Sequence, residues 1–161
     1  MSDRSDREPT ITVVVEAYNL TEGQSLAALD RALGAVGALL AAREDCEALL
    51  VRSMATAPLD ALLARHGAVR VVDVPGAGYD ALKDAGALAA RGRVVAYLDG
   101  DCVPMDAHWL DRLTGPILAG EASATCGVTM YEDTDLLGTL ATVLDFGFVI
   151  VSPGGPVGCY V

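Results

Sequence analysis

Basic residues are scarce in this chain: 11 Lys plus Arg stand against 22 Asp plus Glu in 161 residues, for a formal net charge of -11, and Lys83 is the sole lysine. Binding to a nucleic-acid backbone relies on clustered Lys and Arg that displace counterions, so a nucleic-acid partner is excluded. A small phosphorylated ligand is not, provided that a divalent cation supplies the positive charge locally. Aromatic residues are few as well, at 5%. The core must then be built from Val, Leu and Ala, a composition suited to parallel strands buried under helices. Cys46, Cys102, Cys126 and Cys159 lie far apart with no CxxC pair. That spacing indicates neither a zinc site nor a disulfide framework, and reduced, mostly buried thiols are expected.

Two absences bear on location. The polar start, Met1 to Pro9, lacks the apolar segment of a secretory signal, and residues 1–9 read as a disordered tail of a cytoplasmic protein. The stretch from Phe146 to Val161 carries no charge, but Pro153, Gly154, Gly155, Pro156 and Gly158 interrupt it. It is also shorter than the ~20 residues of a membrane-spanning helix, so a strand running into a loop is expected there instead. Length and apolar content allow one domain, expected over residues 10–161.

What is present is an alternation of strand and helix signals. Ile11 to Val15 is a β-branched run, and Leu26, Leu29, Leu33, Val36 and Leu40 then recur on one helical face. Thr21 and Gln24 have the spacing of a capping box before that helix. A second strand is expected at Ala48 to Val51, a helix at Pro58 to His66, a third strand at Val69 to Val74 and a helix at Tyr79 to Arg91. Arg93 to Leu98 reads as a fourth strand, followed by a helix at Asp106 to Leu118, a strand at Ala122 to Met130 and a helix at Asp133 to Leu144. Such alternation implies an α/β fold with a mainly parallel sheet flanked by helices.

In an open parallel sheet, ligands bind beyond the carboxyl ends of the strands. The fourth apolar run ends there in Asp99-Gly100-Asp101. Two carboxylates at i and i+2, separated by glycine, can face one mouth and hold a hard cation such as Mg²⁺ or Mn²⁺. The plainer reading is a polar turn, since Asp and Gly are common turn residues. The strongly apolar strand before the triplet favours the functional reading. Lys83 reads either as a cation at the edge of a ligand pocket or as an exposed helix residue paired with Asp80. His66 and His108 are poor metal candidates, because one sits at a helix end and the other beside Trp109. Glu132, Asp133 and Asp135 could approach a second substrate, but Asp133 reads equally well as a helix start.

From Ile11 onward the chain resembles the family 2 glycosyltransferases, which have the Rossmann-like GT-A fold. The resemblance rests on the first strand with Ala17-Tyr18-Asn19, on Lys83-Asp84-Ala85-Gly86 in place of the family's Arg-Asn-x-Gly segment, and on Gly92 through Asp101. Pro104, Trp109 and Leu110 follow in the family's order. It implies a nucleotide-diphospho-sugar donor, a hydroxyl acceptor, a Mn²⁺ or Mg²⁺ cofactor and transfer with inversion. By the same resemblance Ala17, Tyr18, Asn19, Lys83, Asp99 and Gly100 would line the donor pocket. Asp101 would be the principal metal ligand, with Asp99 beside it.

The chain also departs from the family. Glu16 stands where a proline is common, and Arg52-Ser53-Met54 stands where an acidic cluster often meets the base, so uridine is not implied. The family's general base lies in a later segment that shapes the acceptor site. The chain therefore reads as truncated at its C-terminus, with no general base to name, and a donor-binding but catalytically incomplete fragment is one alternative. Self-association through an uncovered apolar surface is a further expectation. A second alternative is a haloacid-dehalogenase-like phosphatase, because Asp99-Gly100-Asp101-Cys102-Val103 also fits that family's motif with Asp99 as nucleophile. Against it, no lysine follows the motif.

Overall fold

A computed structural model describes residues 8–18, 23–127, 129, 136–137, 139–141 and 144. Four strands and four helices alternate along it: β1 (Ile11–Glu16), α1 (Gly23–Ala42), β2 (Cys46–Arg52), α2 (Ala57–Leu63), β3 (Arg70–Asp73), α3 (Tyr79–Ala89), β4 (Val94–Asp99) and α4 (Trp109–Leu118). The strands form one all-parallel sheet in the order β3-β2-β1-β4. This is the parallel α/β architecture expected from the alternation, and it is consistent with the Rossmann-like GT-A fold that the family resemblance implies. By contact density the chain divides into two compact units, Met1–Ser123 and Ala124–Val161, and all eight elements belong to the first.

Strand pleating sorts the core into two layers. Ile11, Val13 and Val15 of β1 and Leu50 of β2 pack with Leu29, Leu33 and Val36 of α1, Leu59 and Leu62 of α2, and Leu110 of α4. On the opposite face, Val14, Leu49 and Val51 pack against Leu82 of α3. Successive strand residues point to opposite faces, so β1 is buried along its whole length because both faces are covered. Gly86 lets α3 sit close to the sheet, since a Cβ there would lie 2.4 Å from Val14 Cγ1.

Several expected boundaries move by a few residues, each for a local reason. The second helix stops at Leu63 because the chain then tightens, with the His66 N–H bonding to the Leu63 carbonyl at 2.9 Å. Its start behaves as expected, with Pro58 in the first turn and Thr56 capping Leu59 N–H at 3.4 Å. The fourth helix begins at Trp109, not Asp106, because the Asp106 carboxylate accepts the His108 N–H at 2.8 Å ahead of the first turn. Thr21, half of the expected capping box, lies outside the described residues.

The expected strand at Ala122 to Met130 is a correction, for residues 122–127 carry no strand. Ala122, Ser123 and Ala124 have little β preference, and no neighbouring ladder among the described residues receives them. Within the expected Asp133 to Leu144 helix, residues 136–137, 139–141 and 144 are helical, and the others lie outside the described residues. Among the described residues no helix is long and apolar enough to cross a membrane.

Candidate functional site

The sheet reverses direction of growth at β1: β2 and β3 extend it to one side, and β4 returns to the other. Helices α1 and α2 cover one face and α3 the other. The crevice beyond the carboxyl ends of β1 and β4 is thus the switch point at which such sheets bind ligands. Parallel pairing sets Glu16, the last residue of β1, directly opposite Asp99, the last of β4. The next residue, Gly100, donates its N–H to the Glu16 carbonyl at 2.8 Å. A Cβ on Gly100 would stand 2.6 Å from that oxygen, so only glycine permits the approach.

Both carboxylates lie on the α3 face, where the first turns of α3 bring Tyr79 and Lys83. Lys83 Nζ donates to Asp99 Oδ1 at 2.9 Å, and the Tyr79 hydroxyl donates to the same oxygen at 3.2 Å. The ammonium also lies 4.5 Å from the Tyr79 ring centre and 5.5 Å from that of Tyr97, within cation–π range of both. Tyr97 secures the helix by donating its hydroxyl to the Lys83 carbonyl at 3.2 Å. Tyr18 meets Tyr79 edge to face, with ring centres 6.1 Å apart. Tyr18, Tyr79 and Tyr97 are 43%, 37% and 40% exposed, so the Tyr79 and Tyr97 rings around Lys83, and the Tyr18 ring against Tyr79, each keep surface open to solvent.

Comparison with known proteins shows the family of the chain. The family model for glycosyl transferase family 2 matches residues 12–141, most of the chain. The chain belongs to glycosyltransferase family 2. A search of curated proteins gave no match. Membership sets aside the phosphatase alternative for Asp99, and it implies a nucleotide-sugar donor, an acceptor and, typically, a divalent metal.

In this glycosyltransferase domain the residues singled out by sequence fall as follows. Ala17 is buried just after β1 and donates its N–H to the Val51 carbonyl at 3.1 Å. Tyr18, Lys83, Asp99 and Gly100 come together as described, and Asp101 is exposed on the turn. Asn19 lies outside the described residues. Lys83 does not pair with Asp80 along its helix; it reaches across to Asp99. Among the described residues no group of three or more His, Cys, Asp or Glu is arranged to hold a metal ion. Asp99 and Asp101 nevertheless offer the carboxylate oxygens that Mg²⁺ or Mn²⁺ prefers, and such ions commonly leave their remaining positions to water and substrate phosphates. His66 is committed elsewhere, to Asp30 at 2.7 Å.

Electrostatics tie the cluster together. Glu16 is only 4% exposed, and one of its carboxylate oxygens accepts the Tyr18 N–H. Burial pushes its pKa up against the pull of that hydrogen bond; Asp99 and Asp101 add to the rise, and Lys83 opposes it. Burial alone would lower Lys83, but Tyr79 and Asp99 outweigh it and hold the ammonium above its usual value. Burial, with Asp101 and Asp99 nearby, pushes the Cys102 thiol up to about 11. That thiol stays protonated at neutral pH.

Sequence reasoning missed Tyr79 and Tyr97 as members of the site. The signals were there: Tyr79 precedes Lys83 by one helical turn, and Tyr97 precedes Asp99 by one strand repeat. It also took Arg52 to replace the acids near the end of the second strand. The structure brings two acids to it from other elements, since Arg52 bonds Asp60 of α2 and Asp73 of β3, each at 2.6 Å.

Proposed function

We propose that this domain transfers a sugar from a nucleotide-diphospho-sugar to an acceptor hydroxyl with inversion, using Mn²⁺ or Mg²⁺ held by Asp99 and Asp101. The observation that carries this reading is the pairing of β1 with β4, which sets the acidic turn at the switch point beside the sole lysine. Ala17, Tyr18 and Asn19 border the nucleoside, while Lys83 and Gly100 lie on the diphosphate side. The ion supplies charge stabilisation for the departing diphosphate.

In the reaction the acceptor oxygen bonds to the anomeric carbon as the bond from that carbon to phosphate oxygen breaks, and the diphosphate leaves with the electron pair. The acceptor proton needs a base. Glu16 is too buried to serve, Asp99 is engaged by two donors, and Lys83 is an ammonium. By the family resemblance, the base comes from the later segment that shapes the acceptor site.

Calorimetric titration with UDP- and GDP-sugars, with and without Mn²⁺, tests the assignment. Asp101→Ala is expected to weaken metal-dependent donor binding by at least about 10–100-fold, the loss typical of disturbing a metal's surroundings. Metal-independent binding that is unchanged in the variant would remove Asp101 from the site.

A further inference from the structure

We infer that Lys83 competes with the divalent cation for Asp99, and that this competition makes metal and diphosphate bind cooperatively. The inference rests on the donor-site reading above and goes beyond it, because it assigns the coupling between the two ligands to one side chain.

Asp99 Oδ1 already accepts from both the Lys83 ammonium and the Tyr79 hydroxyl. A cation that coordinates this oxygen must displace those donors, and one that uses the other carboxylate oxygen is placed beside the ammonium. Either way, like charges meet in a half-buried site where repulsion is poorly screened. Lys83 is not free to swing away at no cost: its ammonium lies within cation–π range of the Tyr79 and Tyr97 rings, and its helix is tied to β4 through the Tyr97 hydroxyl.

A diphosphate changes the balance. Its negative oxygens offer the ammonium a new partner within the crevice and accept coordination from the same ion, so the metal takes Asp99 as Lys83 turns to phosphate. Metal alone therefore binds weakly, metal with nucleotide binds well, and each raises the affinity for the other by the same factor.

The test is the loss of the free Mn²⁺ spin-resonance signal on titration with protein, in the presence and absence of UDP or GDP. Lys83→Met is expected to bind Mn²⁺ alone on the order of tenfold more tightly than the wild type, a typical coupling factor. The same variant binds nucleotide more weakly in the presence of Mn²⁺, so the two effects have opposite signs. Lys83→Gln, neutral but still able to donate a hydrogen bond, gives the same tightening and serves if methionine disturbs folding as judged by circular dichroism. Mn²⁺ affinity in both variants equal to or weaker than that of the wild type overturns the inference while leaving the metal site in place. A different result, Mn²⁺ binding that Asp101→Asn leaves unchanged or that nucleotide never elicits, overturns the donor-site reading and the inference with it.

Discussion

Gly100 shows how a single residue holds the acidic turn to the sheet. Its N–H bonds to the Glu16 carbonyl, and its missing side chain is what lets β4 end against β1. In Gly100→Ala the new methyl group meets a backbone oxygen that cannot rotate away, so the end of β4 must shift. The expected cost is about 1–3 kcal/mol of stability, the usual range for overpacking, together with weaker nucleotide binding. Urea unfolding and calorimetry measure the two losses, and wild-type values in both would contradict this account. The triplet Asp99-Gly100-Asp101 was legible in the sequence as a turn after an apolar run. The reason for its glycine was not, because the atom that enforces it belongs to a strand more than eighty positions earlier. The same limit hid the Lys83–Asp99 pair: spacing along one helix suggests Asp80, whereas the true partner arrives through the sheet.

Elements add a second kind of constraint, at the opposite end of the strands. Glu47 of β2 accepts the Thr12 hydroxyl of β1 at 2.8 Å, and it accepts the backbone and side-chain N–H groups of Arg91 at 2.8 Å each. Burial would push this carboxyl up, but Arg91 and Thr12 outweigh it and hold its pKa below the usual 4.5. A depressed folded-state pKa contributes stability that is present above the unfolded value and is lost as pH falls through the folded one. Glu47→Gln is thus expected to lower stability at pH 7 by about 1–3 kcal/mol, the range for lost charged hydrogen bonds. The exposure of Arg91 keeps the loss toward the lower end. The gap to wild type should close below the ordinary carboxylate range, which denaturant unfolding across pH can follow; a gap independent of pH would refute the titration argument. At this scale most of the fold was readable, because β-branched runs and helical spacing are local. The strand expected at Ala122 to Met130 failed because a strand is a property of pairs, and pairing partners leave no mark on the segment itself.

For the molecule as a whole, the excess of acids sets its behaviour in solution. With 22 Asp plus Glu against 11 Lys plus Arg, charge repulsion between copies is strong at neutral pH and vanishes near the isoelectric point of about 4.3. Turbidity is expected to peak near that pH and to clear again on return to neutrality; a clear solution throughout would show that charge is not what keeps the chains apart. The winding of the sheet outward from β1 and back to β4 follows from helices on both faces, and alternation along the sequence implied it in outline. It did not reveal which strand ends would meet. One consequence of the site's composition reaches into chemical labelling. Since Lys83 is the sole lysine, an amine-directed reagent has a single side-chain target in the entire protein, and that target lies in the crevice. Flanked by two aromatic rings and paired with Asp99, it is expected to acylate slowly, and a change in that rate when nucleotide is added would report on whether the crevice is filled.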